Sequence, residues 1–400
     1  VVVLVAVAVL AAESGLFLLG GVHPPMSVSI RSAIAGTGLT AEVSISNGLV
    51  PMSAQVSLLP GHLAPSSDTT IFYLADSQFP SLYSPFSSTR SIGVRVGQYL
   101  ELMGSPLQVI DVSAPEVTGA LADHPKGTLA IVGTGVIPDT LYSANVSTLR
   151  SWIVGGGTLV WAGGPLGYSE GHPAPAGFVY DSLGWVGPTK FFGYPLSDPV
   201  NLNSTDPDDF PPTYGTVVTP LGADLGLVYT GTPSGANVSQ VAAHGGLTLG
   251  VRTPGGPTNA SPAARTSLAW VPLGSGGIWY FGGALFASPV GYIPQASVNL
   301  SEDIALVLGL GYRPSAGLSE SRTVTLGSLA STTVTVSVAD RSAGVVAIVR
   351  GQTQGALFYF FSETLATPDV PFATPPEIGL SRPTASIAPA GSTRARPTPR

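Results

Sequence analysis

Leu149-Arg150-Ser151-Trp152-Ile153-Val154-Gly155-Gly156-Gly157-Thr158-Leu159-Val160-Trp161-Ala162-Gly163-Gly164 changes character halfway along. The stretch from Val146 to Val154 reads as a helix. Three glycines then provide the positive φ that ends a helix, and Thr158 to Trp161 follow as a short apolar run. A strand without alternation is one covered on both faces, as in a sheet fed by helices.

The same grammar extends outward. Thr70-Ile71-Phe72-Tyr73-Leu74, Leu107 to Val112 and Leu129 to Val132 are further short apolar runs, and Ser87 to Leu102 has helical spacing. Strand, helix, strand, strand, helix, strand predicts a mainly parallel sheet. Downstream, about 165–265 is rich in Gly, Pro and Asp and reads as a loop-rich insertion, with a short helix near Phe178 to Trp185 and a strand near Gly226 to Thr230. Ser267 to Pro272 and Gly277 to Gly282 read as strands around a Gly-Ser-Gly-Gly turn, and Glu302 to Leu310 as a closing helix. The α/β domain is therefore placed at 67–313.

On either side the period falls to two. Met26 to Leu59 alternates, with Asn47-Gly48 as turn chemistry, and so do Arg322 to Leu326, Thr332 to Val338, Gly344 to Val349 and Ala356 to Phe361. The expected domains are β-strands over 23–66 and a β region over 314–366, each too small to bury two faces alone and so able to join in one sandwich. Pro-rich residues 367–400 read as a tail or linker. The fold class expected is thus α/β plus β: a flavodoxin-like, mainly parallel sheet flanked by sandwich-like antiparallel strands, with an N-terminal hydrophobic helix.

The Leu149 to Gly164 block resembles the helix, glycine turn and strand of class I glutamine-amidotransferase-like domains. The strand end at Asp76, the Leu129 to Gly133 strand and Gly282-Gly283 occupy the order expected of them, so the resemblance covers roughly 68–312. Catalytic members carry a Cys nucleophile, whereas this chain has no Cys. The resemblance therefore implies a non-catalytic relative.

Composition narrows the function. Only 10% of residues are charged, against about a quarter in an ordinary soluble domain. Such a surface must be dressed with Ser, Thr, Asn and Gly, which suits glycosylated, assembled or membrane-attached proteins. The net charge of −7, with no Lys/Arg cluster, argues against nucleic acid. Val1 to Val22 is apolar apart from Glu13 and Ser14, long enough to span a bilayer, and reads as a retained anchor or a cleaved signal. N-x-S/T sequons stand at Asn145, Asn203, Asn237, Asn259 and Asn299.

Ligands of open α/β sheets bind at the carboxyl ends of the strands, which nominates Asp76, Ser77, Gln78, Gly133, Thr134, Gly163, Gly164 and Tyr168. Gly167-Tyr168-Ser169-Glu170-Gly171 matches the nucleophile-elbow pattern and makes Ser169 the candidate nucleophile, although His172-Pro173-Ala174-Pro175 disfavours the helix that an elbow requires. Asp206-Pro207-Asp208-Asp209 lacks the alternation of a calcium loop, so no metal and no cofactor is expected. The function expected is a non-enzymatic secreted or membrane-anchored surface glycoprotein, on the outer face of the membrane, contacting envelope proteins or glycans as a homo- or hetero-oligomer. Two alternatives stand beside it. One is a secreted ester or glycan hydrolase using Ser169 or carboxylates near Asp181, Asp198 and Asp206. The other is a pilin-like filament subunit.

Overall fold

The computed structural model describes residues 26–48, 51–64, 68–82, 84, 86–196, 216–229, 236–252, 265–266, 268–282, 294–353 and 358–366. The expected apolar helix at 1–22, the tail at 367–400, Asp198, Asp206 to Asp209 and the sequons at Asn203 and Asn259 lie outside the described residues. Among the described residues no helix is long and apolar enough to cross a membrane.

Alternation at the two ends of the chain produces strands that find each other. β1 (Met26–Ala35), β2 (Gly38–Asn47) and β3 (Met52–Leu63) come from the start. β17 (Tyr312–Pro314), β18 (Glu320–Leu326), β19 (Ser331–Val338), β20 (Val345–Thr353) and β21 (Phe358–Ala366) come from the end. β2 lies between β1 and β19, all antiparallel. β3 pairs with β17 and β18 along one edge and with β20 along the other, and β20 carries β21. The two sheets close on Val43, Ile45, Val56, Val336, Ala347 and Val349, all buried. The alternate residues of the second sheet, Leu59, Val346 and Ile348, enter a different core.

That second core belongs to an eight-stranded sheet. β4 (Thr70–Leu74), β5 (Gln108–Val112), β6 (Thr128–Val132), β8 (Thr158–Gly163) and β16 (Gly276–Gly282) are parallel, in the order β16-β8-β6-β4-β5. β15 (Leu268–Leu273), β13 (Leu247–Arg252) and β11 (Thr216–Val218) extend it beyond β16 with antiparallel pairing. On one face lie α1 (Phe86–Leu102) and α7 (Pro294–Leu310), packed on each other and on Tyr73, Val132 and Val160. On the other lie α2 (Val117–Asp123), α3 (Thr148–Val154), α4 (Val186–Phe192) and α6 (Val238–Ala243), around Phe72, Ile131 and Trp161. α5 (Pro220–Leu225) sits between β11 and β3.

The expected fold class is corrected here. The sheet is mixed, not flavodoxin-like and mainly parallel, because Gly274, at φ +63°, turns β15 back into β16 as a tight hairpin, with no crossover helix between them. Among the described residues strand also dominates, 44% against 24% helix, and the smaller sheets are almost wholly antiparallel. The stretch read as loop-rich carries β9 (Ser169–Ala174) paired with β10 (Gly177–Ser182), and β9 also pairs with β7 (Ile137–Pro138). β10 occupies the place where a helix near Phe178 was expected. The strand expected at Gly226 is instead a left-handed helix cap, φ +95°, followed by irregular chain. β12 (Ala236–Asn237) and β14 (Arg265–Thr266) make a minimal pair.

Candidate functional site

The carboxyl ends of β4, β6 and β8 converge as expected of open sheets, but the chain itself occupies the crevice. Asp76 accepts from the Gln78 amide through one oxygen (2.9 Å) and from the Ala114 amide through the other (3.2 Å), tying the β4–α1 loop to the segment after β5. Thr134 is buried and donates to the Val136 carbonyl, while its own carbonyl accepts from Leu82 (2.8 Å). Ser81 donates to the Gly133 carbonyl (3.0 Å). Gly133 has φ +75°, and a Cβ there would meet the Ser84 Cβ at 2.8 Å, so only glycine lets this segment lie across the strand ends. Gly164 uses its carbonyl to accept from Trp161 Nε1 (2.7 Å) and the Tyr280 hydroxyl (3.3 Å).

The structure therefore brings Asp76 and Thr134 together around one small space, with Gly133 against Ser84 and Thr89, whereas Gly163 lies against Gly135 and Gly164 is tied to Trp161 and Tyr280. What remains is about 10 Å³ of free space between Leu74, Asp76, Phe79, Ser81, Thr89 and Thr134, enough for about one water. Ser77 and Gln78 are exposed on its rim. Tyr168 stands apart, half-exposed, its ring edge-on to Trp185 at 5.0 Å.

Ser169 is buried and opens β9 directly opposite Ser182. The chain leaves it as an antiparallel hairpin, whereas an elbow needs a strand-to-helix turn. His172 is three residues on, hence on the opposite face of the strand, with Nδ1 3.8 Å from Asp181 on the neighbouring strand. His244 stacks flat on Tyr194 at 3.5 Å.

Sequence reasoning named Asp181 as a candidate carboxylate without the acidic neighbours that the structure gives it, and missed a second polar cluster. In the first, Glu170 lies directly across from Asp181, a like-charged pair that costs stability, with Asp139 beside it. Glu170 Oε2 is buried with no hydrogen-bond partner among the described residues, and burial, then Asp139 and Asp181, raise its pKa against the lowering effect of His172 and the Ala144 amide. Among the described residues no group of three His, Cys, Asp or Glu is arranged to hold a metal.

The second cluster joins the two parts of the molecule. Asp303 on α7 is fully buried and accepts from the amides of Val228 (2.9 Å) and Tyr229 (2.8 Å). Its pKa is pushed up to about 8, because burial outweighs those two donors. Beside it Glu302 pairs with Arg350 of β20 (3.1 Å), and Arg350 also donates to the Gly226 carbonyl (2.9 Å). The available signal was Glu302-Asp303 directly before the apolar run Ile304 to Leu308: charges abutting a buried run need partners elsewhere.

Of the described sequons, Asn145 is exposed in a turn. Asn237 caps α6 through Oδ1, and Asn299 lies in α7 and donates to the Val228 carbonyl (3.3 Å). Compared with protein families, with curated proteins and with solved structures, the chain has no match in any of the three.

Proposed function

We propose that the chain is a non-enzymatic surface protein of the cell envelope, secreted or held by its apolar leading segment, which presents its folded part for contact with neighbouring subunits or glycans. The observation that carries this reading is the outward face of the β1–β2–β19 sheet. Its cross-strand rows read Ser27, Ser46, Ser331; then Ser29, Ser44, Thr333; then Arg31, Glu42, Thr335. Hydroxyl pairs bridge the strands at Ser46–Ser331 (2.8 Å), Ser44–Thr333 (3.0 Å) and Thr40–Ser337 (3.0 Å).

A water-facing sheet ordinarily carries long charged side chains, which also deter unwanted association. Here, apart from Arg31 and Glu42, short hydroxyls take their place, so a partner surface or a sugar coat can approach the Ser and Thr rows with little charge to desolvate. The exposed Asn145 sequon supports the glycan part of the reading.

Native mass spectrometry of detergent-extracted and detergent-free material from the source cells tests the proposal. Hexose-sized mass increments on a detergent-dependent species are expected. An unmodified monomer that needs no detergent would sink it.

A further inference from the structure

Helix α1 buries Ile92, Val96 and Leu100 and turns two rows outward: Ser87, Ser91, Arg95 and Arg90, Val94, Gln98. Each row repeats every four residues, about 6 Å along the helix axis. With Phe86 these side chains line a shallow open groove of about 510 Å³.

The groove is rich in donors and carries two cations. Arg90 and Arg95 are the only cations between Arg31 and Lys126 in a chain of net charge −7. Arg95 Nη1 is buried and has no hydrogen-bond partner among the described residues, a state that costs stability unless a ligand or a water supplies the acceptor. Arg90 leans on Asp111 at 3.5 Å, with both side chains largely exposed (61% and 46%). Such a pair contributes little and yields readily to a better acceptor. Ser91 donates to the Ser88 carbonyl, which leaves its oxygen free to accept.

We infer that this face of α1 binds an acidic polysaccharide, with Arg95 and Arg90 receiving its carboxylates. The planar guanidinium fork fits a carboxylate in two-point contact. Ser87, Ser91 and Gln98 offer the small amphoteric groups that pair with sugar hydroxyls. A peptide is the poorer fit, because peptide grooves anchor apolar side chains in pockets, and here the central apolar residue, Val94, stands 54% exposed. The inference concerns a site separate from the hydroxyl-covered sheet and does not depend on how the chain is attached to a membrane.

Calorimetric titration of the full chain in detergent with polygalacturonate, at low and high salt, is the test. Binding that weakens with salt is expected, with no binding of neutral dextran. Arg95→Met should weaken it by at least about tenfold. Because it removes an unsatisfied guanidinium, the melting temperature should hold or rise, which a purely structural arginine would not allow. Val94→Glu, at an exposed position, should give a similar loss by placing a like charge in the groove. Absence of binding to the wild type, equal binding by the Arg90→Gln/Arg95→Met double variant, or equally tight binding of poly-glutamate would each overturn the inference.

Discussion

The β1–β2–β19 sheet and the eight-stranded sheet solve the same problem in opposite ways. In β2 every second residue is buried and its neighbours face water, whereas β6 is buried throughout. The first sheet rests on one core, and the second separates two. The sheet between them, β3 with β20, shares the second habit: Val345, Ala347 and Val349 face the sandwich, while Val346, Ile348 and Arg350 face α7. The strands from the chain ends therefore do more than flank the α/β part. They supply one wall of its core, so the two parts should unfold together.

Arg350→Met is the strongest way to break that union. It leaves Glu302 buried without its cation and the Gly226 carbonyl without its donor, a loss of about 3–5 kcal/mol. Urea unfolding followed by tryptophan fluorescence, which reports the α/β sheet, and by far-ultraviolet circular dichroism should coincide in the wild type and separate in the variant. A loss below about 1 kcal/mol, with coincident curves, would mean that apolar contacts alone hold the parts together.

The pH dependence of the same joint sharpens the point. Asp303 has an ordinary value of 3.8 and is pushed up to about 8 in the folded chain. A carboxyl raised by folding binds protons more tightly in the native state, so its contribution is complete below about 4 and is lost as pH rises through 8. Asp303→Asn, which keeps an acceptor but cannot ionise, should gain stability relative to the wild type between pH 5 and 9. Urea midpoints of both proteins across that range are the check. A difference independent of pH would show that the two amide donors cancel the effect of burial.

These contrasts also explain what could be read from sequence. Period-two alternation exposed the sandwich strands, because a half-wet strand writes both its faces into the chain. The apolar runs at Thr70, Leu129 and Thr158 marked strands equally well, and the Gly-Ser-Gly-Gly turn marked the place where β15 folds back into β16, whereas β13, interrupted by Thr248, Gly250 and Arg252, carries no such signal, and its antiparallel pairing with β15 was illegible. The hairpin of β9 and β10 was hidden because Gly171 must be small where it packs on Phe79, and Pro173 sits opposite Phe178. Asp76 and Thr134 share one small space at the strand ends, and its occupation by Ser81 and Leu82 depends on a loop that carries no periodic signal. Asp303 and Arg350 are 47 positions apart in the chain, and nothing local to either announces the other.

The smallest effect concerns the hydroxyl-covered face. Val43 and Ser44 are adjacent in β2, one buried in the core and the other exposed beside Thr333. Val43→Ala removes two buried carbons and should cost about 2 kcal/mol. Ser44→Ala and Thr333→Ala should each stay within about 0.5 kcal/mol, as surface changes do. Thermal unfolding of the three variants decides the matter. If the hydroxyl variants are as stable as the wild type, the Ser and Thr rows are not there to hold the sheet, and their reason must be sought in what approaches it. Ser44→Lys would then separate the possibilities further: a charged side chain that leaves the fold intact but removes the protein from its surface assembly is the outcome expected of a contact face. If Ser44→Ala costs as much as Val43→Ala, the hydroxyl ladders are structural, and the surface reading loses its main support.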